Sequence, residues 1–193
     1  DPDRTYALIC TSGSTGRPKL VRLTGTMTDT AARAYTAVLG LGPSDRTAVH
    51  LPMWWVSGHV TQLASALHSG GSVVTMPDYS PSSLLRVVAA HDVSWLDLVP
   101  TLWHGLLRED GFAADRLPTL RAAVFGGAPA SHHVLARVRA RLPSLALHDV
   151  YAMSEVPAPM TARSETATGT DAPVASVGRA LPHADVEVVD LHG

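Results

Sequence analysis

Hydrophobic positions along this chain fall into two textures, short continuous runs and longer segments in which apolar residues recur at helical spacing. The runs predict buried strands and the periodic segments predict amphipathic helices. "YALIC" at 6–10 reads as a strand, followed by the polar stretch "TSGSTGRPK" and a second strand, "LVRLT", at 20–24. A helix is expected over 28–39, ending near Gly40. "TAVHL" (47–51) predicts a strand, 59–68 a helix stopped by Gly70 and Gly71, and "SVVTM" (72–76) another strand. Ser80 and Pro81 mark a helix start, since serine caps free amides and proline occupies a first turn that needs no donor. That helix is expected to run to about residue 90.

The alternation continues with "SWLDLV" (94–99), a helix over 100–108, "RAAVF" (121–125), a helix over 131–141 and "ALHDVY" (146–151). Strand, helix, strand at this spacing predicts an α/β fold: a mainly parallel sheet, joined by right-handed crossovers, with helices on both faces. Beyond Tyr151 the texture changes. Residues 157–175 are rich in Pro, Thr, Ser, Ala and Gly, which predicts a long loop or weak hairpin, and "ADVEVVD" (184–190) alternates as a final strand. No internal repeat is visible.

Composition narrows the function. The 193 residues are enough for one core, and a formal charge of -2 offers no basic field for nucleic acid or an anionic membrane. No apolar run approaches the roughly 20 residues of a membrane span. The single cysteine, Cys10, lies in an apolar run, so it is expected to be a small core residue in a cytoplasmic protein. The chain begins at Asp1 without a Met and without the layout of a secretory signal, so an excised segment is expected.

The chemistry concentrates in the opening loop. Gly13 and Gly16 permit backbone torsions that turn successive amides inward, Thr11, Ser12, Ser14 and Thr15 add hydroxyl donors, and Lys19 adds a point charge. The pattern is not a Walker loop, because Arg17, Pro18, Lys19 and Leu20 follow the second glycine where that loop has Gly-Lys-Ser/Thr. On spacing alone the loop is either a flexible turn or a phosphate cradle. The ten histidines form no cluster of zinc-ligand spacing, and Arg137, Arg139 and Arg141 read as a solvated helix face.

"YALICTSGSTGRPKLVRLT" resembles the phosphate loop of the adenylate-forming superfamily, which includes acyl-CoA and aryl-CoA ligases, adenylation domains and luciferases. Four later segments resemble it in order and spacing: "LPMWWVSGH" (51–59), "FGGAPAS" (125–131), "DVYAMSEV" (149–156) and "SVGRALPHADVEVVD" (176–190). The resemblance implies ATP and Mg2+ as cofactors and a small carboxylic acid as substrate. The acid is joined to AMP with release of pyrophosphate, then passed to CoA or to a carrier-protein phosphopantetheine.

By that resemblance Thr11, Ser12, Gly13, Ser14, Thr15, Gly16 and Lys19 fall on the phosphate loop, Lys19 with a catalytic role. Glu155 falls on the Mg2+ ligand, an oxygen donor suited to a cation that also bridges phosphates, and Ser154 on the residue that contacts the α-phosphate. Tyr151 would lie against adenine and Asp149 would accept from its exocyclic amine. Gly126, Gly127, Ala128 and Pro129 would run along the adenine and acyl pocket, with Trp55 bordering the carboxylate, Trp54 beside it and His59 orienting the acid. Read without the resemblance, Tyr151 and Trp55 are core aromatics, Glu155 is a solvated loop acid, Gly126 and Gly127 form a tight turn, and His59 is a surface or helix-start residue. Large aromatics beside the pocket favour an aryl or small acid.

Leu20 and Ala152 depart from the family pattern, each standing where glycine is common. The resemblance also implies that 1–193 is a partial adenylation domain, without the N-terminal part of the large domain, the ribose-binding Asp, or the small C-terminal domain and its lysine. Three readings follow: part of an adenylating ligase, a noncatalytic binding or partner module, or one half of a split enzyme completed by a complementary polypeptide or by self-association.

Overall fold

The computed structural model describes residues 1–11, 18–129, 131–166, 169–170 and 176–190. Strands β1 (Thr5–Thr11) and β2 (Lys19–Thr24) pair antiparallel as a separate two-stranded sheet, with Thr11 opposite Lys19. Ile9 and Leu23 point inward, and Leu8 and Cys10 alternate outward. Cys10 is therefore exposed and not the core residue expected from its apolar run, because the hairpin buries one face only. Helix α1 (Gly25–Leu39) begins earlier than its periodicity predicted: the Thr24 hydroxyl accepts from the Met27 amide at 3.1 Å and caps the first turn.

The chain then alternates as expected. Strand β3 (Arg46–Val49) leads to a π-helical segment, Ser57–Ala64, which continues into α2 (Ser65–His68) and β4 (Ser72–Thr75). Next come α3 (Pro81–Ala90), β5 (Trp95–Leu98), α4 (Pro100–Leu106), β6 (Ala122–Phe125), α5 (His132–Arg141) and β7 (Ala146–Met153). Strands β3 to β7 run parallel. β8 (Val156–Thr166) returns antiparallel to β7 and pairs in turn with β9 (Gly169–Thr170) and β10 (Arg179–Ala180), giving the order β10-β8-β7-β6-β5-β3-β4 with β9 off that path.

Two cores lie on opposite faces of this sheet, as period-2 alternation requires. Leu96, Leu98, Ala123 and Phe125 pack under α3, α4 and α5, and Trp103 stacks on Phe125 with centroids 4.6 Å apart. Trp95, Ala122, Val124 and Val150 face Tyr35 and Leu39 of α1 and Ala66 of α2. At the amino ends of the strands, Asp45 holds the layers together: it accepts from Arg121 at 2.6 Å, Ser94 at 2.6 Å and the Gly42 amide at 2.8 Å. Burial pushes its carboxyl up, but these hydrogen bonds outweigh burial and leave it below the usual carboxylate range.

Two expectations change at the C-terminal end. Over 157–175, where a long loop or weak hairpin was expected, 156–166 form a long strand whose last residues pair with β9 as a short hairpin, and 167–168 and 171–175 lie outside the described residues. The small side chains of 156–166 suit close packing, and Ala158 is buried with Ile9, Leu23, Ala31 and Val60. Neighbouring elements outweigh local propensity there. Residues 184–190 alternate as predicted but form no strand. Val186, Val188 and Val189 stand exposed, and the segment pairs with no strand among the described residues.

Candidate active site

The carboxyl ends of the parallel strands open onto a cavity of about 490 Å³, within the range of small-molecule pockets and at the place where open α/β sheets gather ligands. Val99 follows β5, Gly126 and Gly127 follow β6, and Val150, Ala152, Met153 and Ser154 come from the end of β7. Cys10 and Thr11 enter from the end of β1, Tyr35 from α1, and Trp55, Val56, Ser57 and Thr61 from the π-helical region.

The wall containing Trp55 is held by backbone packing. The Trp55 amide donates to the Pro52 carbonyl at 3.0 Å, and the His59 amide donates to the Trp55 carbonyl at 3.0 Å. Gly58 lies against this turn, where a Cβ would run into the carbonyl oxygens of Leu51 and Pro52. Gln62, completely buried, ties the segment to the sheet: its Oε1 accepts from the His50 amide at 3.2 Å and its Nε2 donates to the Asp97 carbonyl at 3.1 Å.

The rim carries the polar residues. Thr11 lines the cavity, and hairpin register sets Lys19 directly across from it. Ser12, Gly13, Ser14, Thr15 and Gly16 lie outside the described residues. Met153 pairs with Val156, so Ser154 and Glu155 form the two-residue turn between β7 and β8; Ser154 lines the cavity and Glu155 is exposed beside it. Among the described residues no three His, Cys, Asp or Glu side chains gather to hold a metal.

Of the other predicted site residues, Trp55, Gly126 and Gly127 line the cavity. Ala128, Pro129, Asp149 and Tyr151 do not. Along β7, Val150 and Ala152 face the cavity, so Tyr151 alternates to the opposite side and is 46% exposed. Asp149 sits 3.7 Å from the Arg163 guanidinium; burial raises its carboxyl and Arg163 opposes the rise. His59 is not brought to this cavity. It lines a second one, of about 350 Å³, with its ring 5.3 Å from Tyr6, and burial lowers its pKa.

The buried end of the main cavity holds residues that periodicity and motif did not single out: Tyr35, Thr61 and Asp97, with exposures of 4%, 2% and 5%. Burial pushes Asp97 up to about 7. Burial, then the nearby Asp97 charge, raises Tyr35, while its hydrogen bond with Thr61 opposes the rise. Asp97 did leave a signal, a carboxylate inside the apolar run "SWLDLV". Nothing in the sequence marked Tyr35 or Thr61.

The profile of the AMP-binding enzyme family matches residues 1–193. This chain belongs to that family. Among relatives of this AMP-binding chain, a 2-succinylbenzoate–CoA ligase of Bacillus velezensis is 33% identical over 138 residues, covering 71% of the chain and 27% of that protein. A sulfoacetate–CoA ligase of Cupriavidus necator is 33% identical over 132 residues, covering 68% of the chain and 26% of that protein. The solved o-succinylbenzoate coenzyme A synthetase of Bacillus subtilis, in complex with ATP and magnesium ion, superposes with a TM-score of 0.81 at 26% identity, over 94% of this chain and 37% of that one. This AMP-binding segment thus spans about a quarter to a third of the length of the curated relatives it matches.

Proposed function

We propose that the chain is the central, nucleotide- and acid-binding part of an adenylate-forming ligase. In this reading, ATP and a small carboxylic acid give acyl-AMP and pyrophosphate, and the acyl group then passes to CoA or to a carrier-protein phosphopantetheine. The observation that carries the reading is one strand-end cavity whose rim joins Thr11 of the hydroxyl- and glycine-rich loop to Ser154 of the β7–β8 turn.

In the first step a carboxylate oxygen attacks the α-phosphorus as the bond to the pyrophosphate oxygen breaks. No proton has to move, so positioned donors are the main contribution of the protein. Thr11, Lys19 and the loop 12–16 would hold the outer phosphates, and Ser154 the α-phosphate. Gly126 and Gly127 would border the nucleotide and the acid, with Trp55 shaping the acid's entrance. Ala128, Pro129, Asp149 and Tyr151 are assigned to the adenine side, beyond the cavity proper. Glu155, exposed next to Ser154, would hold a Mg2+ as a hard oxygen donor. That cation would neutralise charge on the nonbridging oxygens.

Exposed apolar faces favour a second element of the reading. Tyr6, Leu8 and Leu20 on the first hairpin and Val186, Val188 and Val189 near the end are exposed, a pattern that fits coverage by further chain, by a complementary polypeptide or by a second copy. Among the described residues no helix is long and apolar enough to cross a membrane. A cytoplasmic location fits the reading, supported by a single cysteine that cannot pair within the chain.

Carboxylate-dependent ATP–pyrophosphate exchange tests the reading. Exchange that disappears in Glu155→Ala supports it. Failure of every acid to support exchange, with no binding of ATP, rejects it.

A further inference from the structure

Buried polar groups near Asp97 already have partners. Gln62 is spent on the backbone of β3 and β5, and the Tyr35 hydroxyl bonds Thr61. Asp97 is different. It is 5% exposed, lines the cavity, and its Oδ2 is buried without a hydrogen-bond partner. It is also the one acidic side chain among the described residues that line this space. A buried carboxylate oxygen left without a donor costs several kcal/mol unless something supplies one.

The position of Asp97 says where a donor would come from. The exposed end of the cavity holds Trp55 and Ser154, and Asp97 lies with Tyr35 and Thr61 at the buried end. The lining also includes Val56, Val99 and Val150, which suit a flat apolar body. A molecule presenting its carboxylate at the rim would extend its far end toward Asp97.

We propose that Asp97 is a specificity-determining residue that selects an aryl carboxylic acid bearing a hydrogen-bond donor, an amino or hydroxyl group, on the part that reaches the buried end of the cavity. The proposal rests on the adenylation reading for the orientation of the acid. A pocket that must satisfy a buried acceptor rejects an analogue lacking the donor far more strongly than an apolar pocket rejects a missing methyl group.

The test uses the full-length protein and matched acids: 3- and 4-aminobenzoate, 3- and 4-hydroxybenzoate, the corresponding toluates, and benzoate. Exchange kinetics are read together with dissociation constants for the acids from calorimetry. The expected result is a preference for a donor-bearing acid over its methyl counterpart on the order of 10,000-fold in kcat/KM. Asp97→Val should abolish or invert that preference. Asp97→Asn, equal in shape and still an acceptor, should retain part of it for the hydroxy acids. Equal use of donor-bearing and methyl acids, or an unchanged preference in Asp97→Val, overturns the role of Asp97 and leaves the adenylation reading standing. Absence of both exchange and binding with every acid, and of ATP binding, overturns both.

Discussion

At the scale of single residues, the chemistry depends on side chains whose surroundings differ sharply. Glu155 is exposed on a two-residue turn, so Glu155→Ala is expected to fold normally and to lose exchange activity by at least 100-fold, on the order seen when one positioned electrostatic group is removed. Unchanged melting with lost exchange would show that the loss is chemical. Asp97 is the opposite case, because burial raises its pKa from 3.8 to about 7. Between those values the folded state binds more protons at this site than the unfolded state, so this group makes stability fall as pH rises through that window. Asp97→Asn removes the contribution. The variant should gain on the native protein by up to ~1.4 kcal/mol per pH unit across the window, read as the difference between denaturation curves collected from pH 4 to 8. A difference that stays flat with pH would show that Asp97 titrates normally.

At the scale of elements, the cavity depends on contacts that leave no room for a side chain. Gly58 packs against the turn that leads from β3 to the π-helical segment. Gly58→Ala is expected to destabilise the fold by about 1–3 kcal/mol through overpacking, and to weaken acid binding because Trp55 must shift. Calorimetric melting and exchange kinetics together would check it. The clamp at the other end of the strands is purely structural. Asp45 is buried and fully hydrogen-bonded, so Asp45→Ala leaves the Gly42 amide without its acceptor and Arg121 with only the Leu39 and Gly40 carbonyls. Because its folded pKa is depressed, the stability it supplies is present above the ordinary carboxylate range and lost as pH falls through the folded value. Asp45→Ala should therefore cost about 1–3 kcal/mol at neutral pH and progressively less in acid, without altering the selectivity of any surviving exchange.

At the scale of the whole molecule, binding should be visible as stability, because a ligand that binds only the native state must stabilise it. A non-hydrolysable acyl-adenylate analogue at 100 times its dissociation constant is expected to add ~2.7 kcal/mol, a rise of roughly 5–10 °C in Tm for a domain of this size. A flat melting temperature at saturating analogue would count against the nucleotide site.

The sequence by itself determined the class of fold and the order of its elements as far as β7. Apolar runs such as "RAAVF" and capping pairs such as Ser80 and Pro81 encode local structure through side-chain periodicity and backbone preference. The motif series, five segments in order, carried the family. Tertiary structure decided what those rules cannot reach. It turned 156–166 into a strand by packing small residues against α1 and β1, and left 184–190 outside any strand among the described residues although it alternates. The β1–β2 hairpin exposed Cys10 by burying only one of its faces. Packing of the helices on the sheet also set His59 in a second cavity and brought Tyr35, Thr61 and Asp97 together at the buried end of the first, from an α-helix, a π-helical turn and a strand. Periodicity reports which side of an element faces inward; only the arrangement of elements determines which inward-facing groups meet around one space.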